Sequence, residues 1–415
     1  MVDSTGNNLI FLLCTPRSGS SLATVMLQNH SKMFATQEMW FLMSLHDLRM
    51  PQRRSYGGAG IINQFLNGVV PDETFEQACR EFALRIYNGL LQSSGGAEMV
   101  IDKSPRYYYL LEFMDTLFPH SRRIWLIRNP FSILSSYKKV SEIRGERFSL
   151  KEDLRNPAFD MKIADLTIGL FRYFNYFAKD NPYAYRLYYE KLVAEPKPQL
   201  IDVCRFLGAE YEEGLENYGH YMNTAKSDLY FSMGVGDPFV AKHSEPNADS
   251  VHIWKEVLDK QEIEMYGRVL GARIFHELGY GEQLDEAEKL TGVRFEMEPD
   301  ADLIALRTKQ LADSTGCRWK EGYELRSDAV AGSRLAVPVQ SGMENRLHSE
   351  LLQLQMTVRT LEKRLETSSM EQRRLKSQLD SMRRKINRVK SIIPFGNRLS
   401  HLASTYLINN GGWKK

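Results

Sequence analysis

The stretch LIFLLCTPRSGSSLATVML, Leu9 to Leu27, joins an apolar run to an apolar helical pattern through Thr15-Pro16-Arg17-Ser18-Gly19-Ser20-Ser21. Small residues after a strand let backbone N–H groups converge on an anion, and the following helix adds the positive end of its dipole. Gly19 permits close backbone approach. Ser18, Ser20 and Ser21 add hydroxyl donors, and Arg17 adds a forked, permanently charged guanidinium suited to phosphate or sulfate oxygens. An ordinary serine-capped turn between strand and helix accounts for the same residues. The loop lacks the lysine of a Gly-Lys-Ser/Thr P-loop, and no aspartate can be assigned to Mg²⁺. Phosphoryl transfer of the kinase type relies on both. A loop that binds an anion without them points to transfer of a different group.

A second stretch, Ile124 to Tyr137, repeats the layout of strand and then helix. Asn129 is a good N-cap and Pro130 a good first helical residue. Arg128 ends the strand, at the edge where parallel α/β sheets bind ligands. Ser136 follows eight residues later, two turns into the helix. The pair can clamp a second phosphate. Equally, the arginine can lie on a solvated loop and the serine can pack on a helix.

These residues need a scaffold. The expected strands are Leu9–Cys14, Met99–Asp102, Ile124–Arg128 and Tyr185–Tyr189. The expected helices are Ser21–His30, Glu38–Leu48, Phe75–Leu91, Tyr107–Leu117, Pro130–Val140, Asp160–Lys179 and Lys197–Leu207. Strands separated by helices predict an α/β domain over residues 1–285, a P-loop-like parallel sheet covered on both faces. Residues 286–343 break at Gly292, Gly316, Gly332 and Pro338 and read as a partly ordered linker. Over 344–393, apolar residues recur at alternating spacings of four and three, from Leu347 to Ile393, with Ser368 and Gln372 in the two skipped positions. This predicts a coiled coil, and hence a homo-oligomer or a partner protein. A single amphipathic helix lying on the globular domain is the alternative. Residues 394–415 form a tail. The basic run Arg383–Lys390 suits a solvated helix face, or peripheral contact with an anionic membrane.

Bulk properties exclude several classes. Formal net charge is 54 − 52 = +2, so no global affinity for nucleic acid is expected. Cys14, Cys79, Cys204 and Cys317 are far apart, without a C-x-x-C pair, and the nine histidines lack metal-ligand spacing. No metal is predicted. The N-terminal MVDSTGNN lacks the pattern of a signal peptide, and no apolar run approaches the roughly 20 residues of a membrane span. The expected compartment is cytoplasmic.

Together, TPRSGSSL and the pair Arg128 and Ser136 resemble the sulfotransferases that use 3′-phosphoadenosine 5′-phosphosulfate (PAPS). The resemblance continues at Tyr188-Tyr189-Glu190-Lys191-Leu192-Val193, at Phe206-Leu207-Gly208, and at Gly236-Asp237-Pro238, His243-Ser244, Ser250 and Trp254. It covers roughly residues 8–280 and leaves out the coiled coil. It implies that Arg17, Ser18, Gly19, Ser20 and Ser21 hold the 5′-phosphosulfate. It implies equally that Arg128 and Ser136 hold the 3′-phosphate, that Tyr189 packs on the adenine, and that Lys242 and His243 close over the nucleotide. PAPS is then a co-substrate.

Sulfuryl transfer is an in-line displacement at sulfur, which needs a general base and cationic stabilisation of the leaving phosphate. Glu38 lies 22 residues after Pro16. A glutamate at the matching distance is the base in the branch containing the protein-tyrosine sulfotransferases. Read without that register, Glu38 complements the dipole of a first helical turn. His30 is a rival base, since cytosolic members use histidine. Lys103, in a K-x-P setting, is the counterpart of a lysine that stabilises the bridging oxygen, or else a surface lysine at a strand end. Arg17 is the other candidate for that role. Met39, Trp40, Phe41 and Met43 can line an acceptor pocket or pack on the sheet. The expected acceptor is a hydroxyl or amine of a carbohydrate, lipid or other metabolite. A metabolite kinase using ATP and a non-catalytic scaffold are the competing functions.

Overall fold

The apolar run before the anion loop is the middle strand of a sheet. Leu9–Leu13 (β1) has every residue buried, as a strand covered on both faces requires. The computed structural model describes residues 1–50, 60–218, 226, 245–246, 248, 250–326, 365, 368–385 and 387. The other strands are Met33–Ala35 (β2), Met99–Lys103 (β3), Arg122–Ile127 (β4) and Ala184–Tyr188 (β5). Their order is β2-β3-β1-β4-β5, and every pairing is parallel. All five strands therefore end at one edge. Leu12 pairs with Lys103, and Ile127 with Tyr188, which places the segments after β1, β3, β4 and β5 side by side.

One face packs Ile10, Leu12 and Cys14 against Met26 and Leu27 of the helix Ser20–Gln28 and Val203 and Leu207 of the helix Pro196–Leu207. On the other face Phe11 meets Tyr107 edge-on, with ring centroids 6.0 Å apart. Trp125 stacks on Phe177 there, at 5.2 Å. The helix Pro130–Arg144 starts as expected, with Asn129 accepting from the backbone N–H of Phe131 and Pro130 in the first turn. Among the described residues no helix is long and apolar enough to cross a membrane.

Several expectations change. β2 is an added strand of three residues, too short to carry a periodic signal. The helix expected over Asp160–Lys179 is two, Met161–Leu166 and Ile168–Tyr176, because Thr167 has φ −123° and ψ −93°. The helix expected from Tyr107 opens as a 3₁₀ turn, Tyr107–Tyr109, before Leu111–Leu117. Glu38 precedes the helix Phe41–Asp47 and does not lie in its first turn, so dipole complementation does not explain it. Within residues 286–343, read as helical patches in a partly ordered linker, lies the helix Ala301–Thr315, which ends at the expected break, Gly316. Its Leu311 packs with Ala164, Ile168 and Cys317. Residues 368–385 are helical. Most other positions of the expected coiled coil, and the tail, lie outside the described residues.

Asp102 on β3 is fully buried and accepts hydrogen bonds from the hydroxyls of Tyr87 (2.7 Å), Tyr107 (2.8 Å) and Ser104 (3.2 Å). Burial lifts its pKa from the usual 3.8 to about 6, against the opposing pull of these donors. The folded value exceeds the unfolded one, so this contribution to stability is fully present below about pH 4. It is lost as pH rises through about 6. The difference corresponds to roughly 3 kcal/mol. Asp102→Asn is expected to remove this pH-dependent loss, measured by chemical denaturation between pH 4 and 7. A variant with the parent's pH slope would refute the assignment.

Candidate active site

The loop after β1 is held in an uncommon backbone form. Arg17 has φ +71° although it is not glycine, a conformation that costs about 1–3 kcal/mol and persists only where its surroundings enforce it. Here its carbonyl accepts from Arg128 Nη1 at 2.9 Å, and its Nε donates to Ser136 Oγ at 3.1 Å. Gly19 caps the next helix at φ +92°. A Cβ on Gly19 would lie 2.3 Å from Tyr189 Cδ2, so the ring of Tyr189 rests directly on the loop. Ser18 and Ser20 are buried, and the Ser18 hydroxyl is 3.2 Å from that of Thr15. Ser21 is half-buried at the helix start.

Arg128 follows the end of β4 and is almost fully enclosed, 7% exposed. Burial lowers its pKa below the usual guanidinium value. It stands 4.2 Å from the centre of the Tyr189 ring. The two candidate anion elements thus meet. Arg17 of the first touches both Arg128 and Ser136 of the second, and Tyr189 from the end of β5 touches Gly19 and Arg128. Lys242 and His243 lie outside the described residues.

Glu38 comes from the segment after β2 and Lys103 from the last position of β3. Lys103 Nζ is fully buried and donates to Glu38 Oε1 at 3.3 Å. The other carboxylate oxygen, Oε2, accepts from Trp40 Nε1 at 3.2 Å. Trp40 also has a left-handed backbone, φ +56°, and is 40% exposed. Lys103 is therefore not a surface lysine. It is a buried cation aimed at the candidate base. His30, the rival, is buried and removed from this group: its Nε2 pairs with the Glu210 carbonyl at 2.8 Å, and its Nδ1 accepts from the Lys32 N–H.

Sequence reasoning passed over the residues that brace these. Asp165, fully buried, accepts from Arg106 Nη2 (2.8 Å), Tyr108 (2.6 Å) and Tyr137 (2.7 Å). Tyr137 adjoins Ser136, and Arg106 lies 5.9 Å from the Trp40 ring. Glu190 accepts from the Asn129 N–H (2.9 Å) and the Tyr280 hydroxyl (2.7 Å), fixing the turn that carries Arg128. The signal for Asp165 was an isolated carboxylate in an apolar helix, which must have partners if buried. Among the described residues no group of three or more His, Cys, Asp or Glu could hold a metal ion.

A parallel sheet whose strand ends present a phosphate-type loop, a buried arginine and a lysine–glutamate pair is suited to moving a charged group to a deprotonated acceptor. The model of the sulfotransferase family matches residues 9–213. Residues 9–213 belong to the sulfotransferase family. It is similar to the nodulation protein NoeE of Sinorhizobium fredii (strain NBRC 101917 / NGR234), 27% identical over 294 residues that cover 67% of each protein. Among solved structures it is similar to the sulfotransferase domain from the curacin biosynthetic pathway. That match has 23% identity, 65% of this chain, 97% of that one and a TM-score of 0.43. The sulfotransferase domain from the Synechococcus PCC 7002 olefin synthase gives 21% identity, 62% of this chain, 92% of that one and a TM-score of 0.41. The chain is a sulfotransferase enzyme.

In this sulfotransferase the loop tolerates no side chain at Gly19. Gly19→Ala combines the left-handed backbone with a collision against the Tyr189 ring. It is expected to cost about 1–3 kcal/mol, read as a lower melting temperature. An unchanged melting temperature would contradict this packing.

Proposed function

We propose that this enzyme transfers the sulfuryl group of PAPS to a hydroxyl (or amine) acceptor on a carbohydrate, lipid or other metabolite, leaving adenosine 3′,5′-bisphosphate. The observation that carries the reading is the junction of Arg17 with Arg128 and Ser136. A donor with phosphate at 3′ and phosphosulfate at 5′ matches two adjoining anion elements. The acceptor oxygen attacks sulfur, the bond from sulfur to the bridging oxygen breaks, and the acceptor proton passes to Glu38. Arg17, the loop N–H groups and Lys103 receive the charge that develops on the leaving phosphate. The Lys103–Glu38 contact supports a shared role: Lys103 orients the carboxylate and shifts a donor toward the bridging oxygen as the proton arrives. The missing P-loop lysine disfavours a kinase.

The test is thermal unfolding with PAPS, adenosine 3′,5′-bisphosphate and Mg-ATP, since a ligand of the native state raises the melting temperature. The first two are expected to stabilise the protein. Stabilisation by Mg-ATP alone overturns the donor assignment. Glu38→Gln should retain the shift with adenosine bisphosphate yet lose about 10²- to 10⁴-fold in turnover, followed with an acceptor found by labelled-donor screening. Near-parent turnover would remove Glu38 as base.

For the C-terminal segment we propose self-association through a coiled coil over residues 344–393. Leu375, Leu379 and Met382 keep the four-three spacing and are each more than half exposed, a seam that a second copy would cover. Across a parallel dimer Glu371 would pair with Lys376 while Lys385 would face Lys390, so the pairing rests on the apolar seam and not on flanking charge. Light scattering should give an oligomer that becomes monomeric when 344–393 is deleted. A monomeric parent protein refutes the pairing.

A further inference from the structure

Arg128 is an almost fully enclosed cation, yet its hydrogen-bond partners are backbone carbonyls. Nη1 donates to the Arg17 carbonyl at 2.9 Å and Nη2 to the Ser250 carbonyl at 3.1 Å. Nε is buried with no hydrogen-bond partner. A buried guanidinium with an unmet N–H and only neutral acceptors is under-satisfied. A phosphate group would bind the same fork more strongly, through charge-assisted bonds. The Ser250 carbonyl occupies one of the donors such a phosphate needs.

Ser250 and Val251 are held in place by three ties. The first is Arg128 itself. The second joins the Ser250 hydroxyl to the Tyr189 hydroxyl at 2.7 Å. The third runs from Ser132 Oγ to the Val251 carbonyl at 3.1 Å. Just beyond, Trp254 is fully buried and stacked on Phe131 at 5.0 Å. The segment is therefore anchored at Trp254 and clasped over the arginine by a few individually weak hydrogen bonds.

We propose that Ser250–Val251 is a strap occupying Arg128 in the unliganded enzyme, and that a nucleotide's 3′-phosphate binds by displacing the Ser250 carbonyl. This rests on the PAPS reading above. Opening the strap is a prior equilibrium, and apparent affinity falls by the fraction of molecules that are open. Only nucleotides with a 3′-phosphate carry that penalty. An adenosine 5′-monophosphate leaves Arg128 and the strap untouched.

The experiment measures binding of adenosine 3′,5′-bisphosphate and adenosine 5′-monophosphate to the full-length protein by calorimetry and stopped flow. Ser132→Ala removes the tie to Val251 and leaves Arg128 and Tyr189 intact. Ser250→Ala removes the tie to Tyr189 and is a second, independent variant. Each is expected to tighten bisphosphate binding about two- to tenfold, the value of one net hydrogen bond, mainly through faster association. Monophosphate binding stays at the parent value. Unchanged or weaker bisphosphate binding in both variants overturns the strap, as does an equal change for both nucleotides. If the parent protein binds bisphosphate no better than monophosphate, the donor reading itself fails, a result separable from the behaviour of the variants.

Discussion

The burial of one guanidinium organises the part of the site around Arg17, Ser136 and Tyr189. Arg128 leaves β4, beside the middle strand, at the sheet's C-terminal edge, and its charge is held away from water. Such burial is costly unless the group is well partnered. The partners come from three distant segments: the carbonyl of Arg17 after β1, the ring of Tyr189 after β5, and the carbonyl of Ser250. Each contact constrains something else. Arg17 is kept in a left-handed backbone, Tyr189 is pressed on Gly19, and Ser250 is drawn over the edge. The loop's shape thus follows from the arginine beneath it as well as from its own small residues.

The part of the site around Glu38 is built from a different set of buried charges. Lys103 is wholly enclosed and reaches Glu38 at the rim. Trp40 takes the other carboxylate oxygen, so the candidate base is gripped at both oxygens and its direction is fixed. Behind it, Asp165 collects Arg106 and two tyrosine hydroxyls. Removing any one partner would strand a buried charge or hydroxyl, which costs more than the bond itself. These networks hold Ser136, Trp40 and Arg106 to narrow positions relative to the sheet.

Two carboxylates close in sequence to these groups behave differently because their surroundings differ. Asp102 points into the core among neutral hydroxyls, and burial favours its protonated form near pH 6. Glu38 keeps partial contact with solvent and a lysine partner. The neighbouring positions Asp102 and Lys103 alternate across the strand as side chains on a strand must. One therefore serves packing and the other serves the site.

The sequence by itself determined the local pieces. Apolar runs gave four of the five strands to within one or two residues, and Asn129-Pro130 marked the helix start that the structure shows. The composition of Thr15–Ser21 marked the turn between β1 and the first helix as a candidate anion loop. All of these depend on neighbours within a few positions along the chain. What only the tertiary structure decided is which side chains meet. Arg17 and Ser136 are 119 positions apart, and Glu38 and Lys103 are 65 apart; no periodicity links them. The break at Thr167, the short edge strand β2 and the structural role of His30 likewise arise from long-range packing and hydrogen bonds. Periodicity records which face of an element is buried. It carries no record of the distant residue waiting there, and in this enzyme those distant partners set the direction of the Glu38 carboxylate and the occupancy of the arginine.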